Sequence, residues 1–311
     1  MRVLTGIGAV ARPPVRAVVT IGVFDGVHVA HQALIRRVVR LARRLRGTSV
    51  VITFDPDPQT VLDPFHDHPA LMPLDERVRA MEVLGADWVW VLPFTRAFSR
   101  MRAETFARSI LVGRLRAAAL IVGERFVFGS RRQGGMDTLR AIGSEHGMRV
   151  IAARQITRGP EPVSSSRIRR LIRAGQLAQA RRLLGRRPSL YGEAVRGAGR
   201  GRRLGFPTVN VRLTSHVLPP QGVYAVRLER AGTGRLFHGV MNLGVRPTFG
   251  PGPLTCEIHL LNFHGSFRGP RVSVELLARL RGERCFEHPD ALVRQIRHDV
   301  ARARRLFSRL P

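Results

Sequence analysis

The chain has 311 residues, of which 44% are hydrophobic, and this length is enough for about two domains that each bury a core. Its apolar runs are too short to span a bilayer, and its start carries no signal-peptide pattern. Two cysteines, Cys256 and Cys285, provide no disulfide framework and have no further zinc ligands at a suitable spacing. The composition therefore predicts a soluble, cytoplasmic protein.

The formal net charge is +30, and all 52 basic residues are arginine because the sequence contains no lysine. Positive charge often indicates nucleic-acid binding, since basic side chains neutralise phosphates. Here the arginines are scattered over most of the chain with few aromatic residues between them. The pattern favours a solvated basic surface, so we expect neither a nucleic-acid nor a membrane partner, and it leaves the oligomeric state undefined.

The amino-terminal half alternates short apolar runs with amphipathic stretches, from Ala17 to about Arg154. The predicted strands are AVVTIGVF, SVVITF, DWVWVLPF, AALIVG and MRVIAAR. The predicted helices include HQALIRRVVRLARRL, LDERVRAMEVLG and AETFARSILVGRL. This alternation predicts an α/β domain with an open, doubly wound parallel sheet.

The next segment, SSSRIRRLIRAGQLAQARRLLG, predicts one or two helices that close the first domain. Serines stand at the N-cap position, and six apolar residues recur at helical spacing: Ile168, Leu171, Ile172, Leu177, Ala180 and Leu183. We expect the domain boundary near residues 186–189, which gives domains of residues 1–186 and 187–311.

The carboxy-terminal half changes character, because glycines and prolines recur. GVYAVRLE, LFHGVMNLG, TCEIHLLNF and RVSVELLARL alternate as antiparallel strands do, which predicts a β-barrel. The segment PDALVRQIRHDVARARRLFSRL predicts an amphipathic helix that begins at Pro289 and Asp290.

The segment TIGVFDGVHVAHQ places His28 and His31 where a strand ends and a helix begins, which is a typical phosphate site in α/β sheets. Gly22 and Gly26 would let the backbone approach a ligand, and Asp25 would cap or orient the loop. Two imidazoles one helical turn apart can donate hydrogen bonds to a triphosphate. A metal site, for which no third ligand is near, and a purely structural pair are the alternatives.

Two motifs resemble those of bacterial bifunctional riboflavin kinase/FAD synthetases. GVFDGVH and the two histidines are similar to the family's version of the nucleotidylyltransferase H-x-G-H signature, which implies catalytic histidines and a Rossmann-like domain. VSSSRIR, residues 163–169, resembles a second motif, usually I-S-S-T-x-I-R. The resemblance implies ATP-phosphate contacts from Ser164, Ser165, Ser166 and Arg169, which are compatible with a helix N-cap role for the serines.

The resemblance extends over almost the whole chain. RGAGRGRRLGFPTVNV, residues 196–211, is similar to the riboflavin kinase motif, and MNLGVRPTFG and CEIHLLNF match in order and spacing. It implies a riboflavin-kinase-type antiparallel barrel followed by a helix. It also implies that Gly197, Gly199 and Gly201 bind phosphates, although a hairpin turn would need the same glycines.

The family's use of these positions further implies Mg²⁺ and phosphate binding by Thr208 and Asn210, which by spacing alone are ordinary strand residues. Glu257 is the expected base for the riboflavin 5′-hydroxyl, on the strength of the resemblance alone. Residues 246–249 would cover the nucleotide or flavin. Arg281 and Phe286 match loosely as isoalloxazine contacts, and their segment LRGERCF would also serve as an ordinary connection.

Three residues depart from the family pattern, all in the amino-terminal half. Ala30 replaces the glycine of H-x-G-H, and Asp57 stands where FDPDP would have histidine. Arg125 replaces a small polar residue in VGERFVFG. A carboxylate near a triphosphate repels it unless a cation intervenes, and we expected Asp57 to pair with Arg125 across the site.

The sequence thus predicts that the chain phosphorylates riboflavin to FMN and adenylylates FMN to FAD, with ATP as co-substrate and Mg²⁺ as cofactor. One alternative is a riboflavin kinase whose adenylyltransferase domain is impaired or repurposed. Another is a non-catalytic flavin or nucleic-acid binder.

Overall fold

The computed structural model describes residues 1–66, 68–197, 199–215, 217–230, 233–245, 254–263, 265, 267 and 269–309. Contacts divide the chain into two compact units. The first contains Met1–His68 and Pro73–Ser165, and the second contains Pro69–Met72 and the described residues from Ser166 onward. Residues 166–186 therefore group with the second unit, and the expected boundary at 186/187 stays a prediction. No helix in the described ranges is long and apolar enough to cross a membrane.

The described residues of the first unit form eight strands, β1 (Arg2–Thr5), β2 (Val18–Ile21), β3 (Ser49–Asp55), β4 (Trp88–Pro93), β5 (Ala119–Gly123), β6 (Arg149–Ala153), β7 (Thr157–Arg158) and β8 (Glu161–Pro162). Its helices are α1 (Val29–Arg44), α2 (Pro58–Leu62), α3 (Leu74–Val83), α4 (Arg96–Ser99), α5 (Ala103–Phe106) and α6 (Met136–His146), with a π-helix over Ala107–Arg114 that continues α5. Short 3₁₀ turns lie at Ile7–Ala9, Asp25–Val27 and Ser130–Arg132.

Six of these strands form a parallel sheet in the order β1-β4-β3-β2-β5-β6. The chain winds from β2 to β3 and β4 on one side, then returns to β5 on the other side. The winding therefore reverses between β2 and β5, and ligands of such sheets bind at the carboxyl ends of the strands at this point. The predicted doubly wound sheet is confirmed, and the loop with the two histidines follows β2.

Strand β2 is buried on both faces. Val18 packs with Val38 of α1, whereas Val19 and Ile21 pack in a larger cluster that includes Leu111 of the π-helix. Because parallel sheets are covered on both sides, their strands appear in sequence as continuous apolar runs.

Sequence analysis missed several elements of this unit, among them β1 and α6. Strand β1 has four residues and lies at the edge of the sheet, where Val3 is 49% exposed. Helix α6 buries Leu139, Ile142 and Gly143. Both patterns carry too few apolar residues to identify an element without its neighbours.

The second unit has helices α7 (Ser165–Arg173), whose first residue still belongs to the first unit, α8 (Leu177–Leu184), α9 (Arg200–Arg203) and α10 (Pro289–Phe307). Its strands are β9 (Ser189–Val195), β10 (Thr208–Leu213), β11 (Gly222–Arg230), β12 (Leu236–Gly244), β13 (Thr255–Leu260) and β14 (Gly269–Arg281). They close into an antiparallel barrel in the order β10-β13-β12-β11-β14-β9. The predicted barrel, its following helix and the paired helices α7 and α8 are confirmed.

Apolar side chains fill the barrel. Ile258, Met241, Val226 and Val274 are fully buried in its core. A separate cluster on the outer face includes Ala225 and packs under Ala303 of α10. Small closed barrels with filled interiors bind ligands at their surface or their ends.

We predict that Ile258→Ala destabilises the barrel by about 2–5 kcal/mol, because it leaves a cavity in a filled core. Hydrogen exchange of the β12 and β13 amides measures the loss. Val195→Ala, at a position that is 37% exposed, is the control and should change the same amides little. Equal protection of these amides in Ile258→Ala and the parent would contradict the packing.

Candidate active sites

The loop after β2 is conformationally strained. Phe24 has φ 56° and Val27 has φ 36°, in the left-handed region that non-glycine residues seldom adopt, and Gly26 between them has φ 75°. A Cβ on Gly22 would lie 3.1 Å from ring atom Cζ of Phe24, so Gly22 makes room for this ring. The packing of Phe24 and the backbone conformation of the loop are therefore enough to require Gly22 and Gly26, and the role of these glycines in phosphate binding stays a prediction.

The two histidines stack at the start of α1. His28 is the N-cap, and its Nδ1 accepts a hydrogen bond from the His31 backbone N–H at 3.4 Å. The two ring centroids lie 3.5 Å apart with an interplanar angle of 19°. Phe24 contacts the His31 ring edge to face, with centroids 5.2 Å apart. The structure therefore brings both predicted histidines together at the ligand edge of the sheet.

His31 is held as a neutral imidazole. Burial lowers its pKa well below the ordinary value of 6.5, and the nearby His28 and the Arg77 guanidinium lower it further. Its Nδ1 is buried and has no hydrogen-bond partner among the described residues. A neutral ring can donate only one N–H, so the protonated nitrogen decides what His31 can bind.

The second motif reaches the same loop through one serine. Ser165 Oγ donates a hydrogen bond to the Asp25 carbonyl oxygen at 2.9 Å, and Asp25 itself is only 4% exposed. Arg169 Nε donates to the Pro69 carbonyl oxygen at 2.7 Å within the second unit. Ser164 precedes α7 and Ser166 lies in its first turn, as an N-cap role predicts. The phosphate contacts of these residues stay predictions.

The expected pairing of Asp57 with Arg125 is wrong. Arg125 is exposed, and the structure records no ion pair between the two residues, both of which it describes. Asp57 is instead the N-cap of α2, where its Oδ1 accepts a hydrogen bond from the Gln59 N–H at 2.9 Å. Aspartate is a preferred N-cap residue, which gives a local reason for this departure. Ala30 occupies the first turn of α1.

A second candidate site lies on the outer face of the barrel. Glu257 on β13 pairs directly with Asn210 on β10 and with Asn242 on β12, so that the three side chains stand side by side. Two residues away on the same strands, and so on the same face, His259 pairs with Thr208. Because Ile258 between them points into the core, this polar array faces outward.

A pocket forms over this array. Its walls come from the segment before β10 and from β10 (Gly201, Leu204, Phe206 and Thr208), from β11–β13 (Val223, Val240, Asn242, Glu257 and His259), from the end of β14 onward (Arg281, Glu283, Arg284 and Phe286) and from α10 (Leu292, Ile296 and Asp299). The pocket therefore combines an apolar wall with a small number of polar groups, as ligand sites typically do. It unites the predicted residues Gly201, Thr208, Glu257, Arg281 and Phe286.

The glycine-rich loop beside the pocket packs against the two predicted metal ligands. A Cβ on Gly197 would overlap the side-chain amide of Asn210, and one on Gly201 would overlap the Phe206 carbonyl oxygen near Thr208. Gly199 has φ 71°, which favours glycine. Gly197 and Gly201 thus let backbone approach Asn210 and Thr208 closely, which an ordinary hairpin would not require.

Arg281, a predicted flavin contact, is held by an acidic partner. Its Nε donates to Asp299 Oδ2 at 2.9 Å, and Gln295 Nε2 donates to the other Asp299 oxygen at 2.9 Å. The guanidinium carbon lies 5.7 Å from the centroid of the Phe286 ring. The ion pair thus fixes one end of the pocket to α10, and direct flavin contact by Arg281 and Phe286 stays a prediction. Residues 246–249 lie outside the described residues.

Sequence analysis missed several residues of this pocket. His259 Nδ1 donates to the Pro207 carbonyl oxygen at 2.9 Å and so supports the turn before Thr208. Glu283 lines the pocket, and its Oε1 is buried without a hydrogen-bond partner among the described residues. Asp299 shares the apolar stripe of α10 with Leu292 and Ile296, and an acidic residue in such a stripe was a detectable signal.

The parallel sheet with its paired histidines, followed by the barrel with its surface pocket, defines a nucleotidyltransferase domain joined to a flavin kinase domain. The family model described as FAD synthetase matches residues 11–167, and the one described as riboflavin kinase matches residues 184–307. The chain belongs to the bifunctional riboflavin kinase/FMN adenylyltransferase family.

Relatives with this description match over nearly their full length. That of Haemophilus influenzae is 34% identical over 308 residues, which cover 99% of this chain and 100% of the relative. That of Pseudomonas fluorescens is 37% identical over 290 residues, with 93% and 92% covered. A solved structure described as a macrolide-efflux protein from Streptococcus pneumoniae has a TM-score of 0.83 and 29% identity, with 94% of each chain covered.

We predict that His31 stays neutral well below its ordinary pKa of 6.5, because burial and two neighbouring cationic or titratable groups oppose its protonation. NMR titration of the imidazole nitrogens, assigned with His31→Gln, should show no charging of this ring between pH 8 and about 6. The unfolded chain does bind this proton, so the unit should lose stability as pH falls below 6.5. A normal titration of His31 would contradict this environment.

Proposed function

We propose that the chain makes FMN from riboflavin and ATP at the barrel pocket, and FAD from FMN and a second ATP at the loop after β2. The domain matches and the full-length relatives support this function over an impaired adenylyltransferase and over a non-catalytic binder. The observation that carries the kinase assignment is the placement of Glu257 between Asn210 and Asn242 in the pocket.

In the kinase reaction, the 5′-hydroxyl oxygen of riboflavin attacks the γ-phosphorus of ATP and ADP leaves. Glu257 orients this hydroxyl and accepts its proton, while the glycine-rich loop holds the phosphates with its backbone N–H groups. The apolar wall with Phe286 binds the flavin ring, and the ion pair of Arg281 and Asp299 positions this wall.

The residues present fit Mg²⁺, although they form no cage by themselves. Among the described residues, no group of three or more His, Cys, Asp and Glu side chains could hold a metal ion. Magnesium is usually held by one or two protein oxygens together with substrate phosphates. Thr208 Oγ1 and Asn210 Oδ1 would provide such oxygens, and the bound ion would neutralise phosphate charge.

In the adenylyl transfer, a phosphate oxygen of FMN attacks the α-phosphorus of ATP and pyrophosphate leaves. His28 and His31 stabilise the charge that develops on the transferred phosphate, and Ser164 and Ser165 hold the triphosphate. Asp25 and Gly26 shape the loop that presents both imidazoles. The cytoplasm, where ATP and flavins are available, is the proposed location.

Glu257→Gln should lower kcat for riboflavin phosphorylation by about 100-fold or more with little change in KM for ATP, because the amide cannot accept the proton. A coupled assay for ADP measures this change. FAD formation from supplied FMN is the internal control, and Glu193→Gln on β9 is the matched surface control. Turnover close to that of the parent would remove Glu257 from the mechanism.

Thr208→Ala and Asn210→Ala should each raise the magnesium concentration that gives half-maximal kinase activity by about 10-fold, since each removes one hard oxygen ligand. The exposed Thr233→Ala is the control. Magnesium titration at saturating riboflavin provides the measurement. If both variants follow the parent curve, the metal is held elsewhere.

A further inference from the structure

Arg77 of α3 carries a buried charge next to the loop after β2, which leads to His28 and His31. Only 6% of its surface is exposed, and its Nη1 donates a hydrogen bond to the Val23 carbonyl oxygen at 2.6 Å. The same oxygen accepts a second hydrogen bond, from Thr53 Oγ1 at 3.0 Å. Donors from helix α3 and strand β3 therefore both hold the Val23 carbonyl group, which comes directly before the strained residues.

The fixed carbonyl stands directly before the strained residues. Phe24 follows Val23, and Val27, a β-branched residue with positive φ, comes immediately before His28. Such backbone conformations cost about 1–3 kcal/mol each and persist only where the surroundings enforce them. Arg77 is one of the groups that enforce this loop, and the loop determines where the imidazoles stand.

The charge of Arg77 also has identifiable neighbours. Burial lowers its pKa, whereas Asp25, Asp55 and Asp57 favour its charged form. The guanidinium in turn lowers the pKa of His31, after the larger effects of burial and of His28.

We propose that Arg77 is a positioning residue for adenylyl transfer: it anchors the strained loop that carries His28 and His31. This inference rests on the proposed adenylyltransferase function. Arg77 acts through the loop, and it need not touch either substrate.

The test uses the full chain with Arg77→Met and Arg77→Lys. FAD formation from FMN should fall about 100-fold in kcat in Arg77→Met, with KM for FMN changed less than about 3-fold. Lysine keeps the charge and a donor but lacks the planar guanidinium, so kcat should fall only about 10-fold in Arg77→Lys.

Two controls separate this effect from unfolding. Riboflavin phosphorylation by the same chain should stay unchanged in every variant. Arg79→Met, on the same helix but exposed and paired with Glu76, should make FAD like the parent. Normal FAD formation in Arg77→Met would overturn the proposal.

A measurement that needs no turnover covers the case in which the parent itself makes no FAD. In folded Arg77→Lys and Arg77→Met, the His31 imidazole titration and the contact between the stacked His28 and His31 rings are followed by NMR. Loss of the ring contact together with a raised His31 pKa in Arg77→Met supports the positioning role. An unchanged ring contact in Arg77→Met would overturn the positioning role. If the parent makes no FAD but shows the ring contact, and Arg77→Met loses it, only the proposed adenylyltransferase function is refuted.

Discussion

The proposed kinase site depends on the two-residue period of one strand. Along β13, Cys256, Ile258 and Leu260 point into the barrel core, so Glu257 and His259 must point outward. Burial, with a smaller effect of the neighbouring Glu257 charge, raises the pKa of Cys256 to about 12, which keeps this inner thiol protonated and unreactive. Because β10 and β12 pair with β13 in register, the same period also sets Asn210 and Asn242 beside the carboxylate. A register slip of one residue on any of the three strands would destroy both the core and the site.

The other site is built on a different constraint, the cost of bending a chain sharply between a strand and a helix. The backbone of the loop after β2 is strained at Phe24 and Val27, and hydrogen bonds from buried groups stabilise this conformation. The geometry of the proposed site in the sheet therefore depends on backbone strain and buried charge, whereas that of the proposed site in the barrel depends on strand pairing.

Local pattern was sufficient to predict what depends on periodicity and on motifs. Apolar runs identified β2 to β6, and alternation identified the barrel strands, because a strand or helix face must be apolar to bury itself. The histidine pair, Thr208 and Glu257 were identified from motifs, since each lies in a short contiguous stretch. Arg77, Asn242 and Glu283 were not, because their importance comes from partners far away in the chain.

The ion pair between Arg281 and Asp299 joins the last barrel strand to α10, and α10 contributes one wall of the pocket. The strand pairing that closes the barrel does not include α10. Detachment of this helix would therefore remove one wall of the pocket and leave Arg281 without its acidic partner while all six strands stay paired.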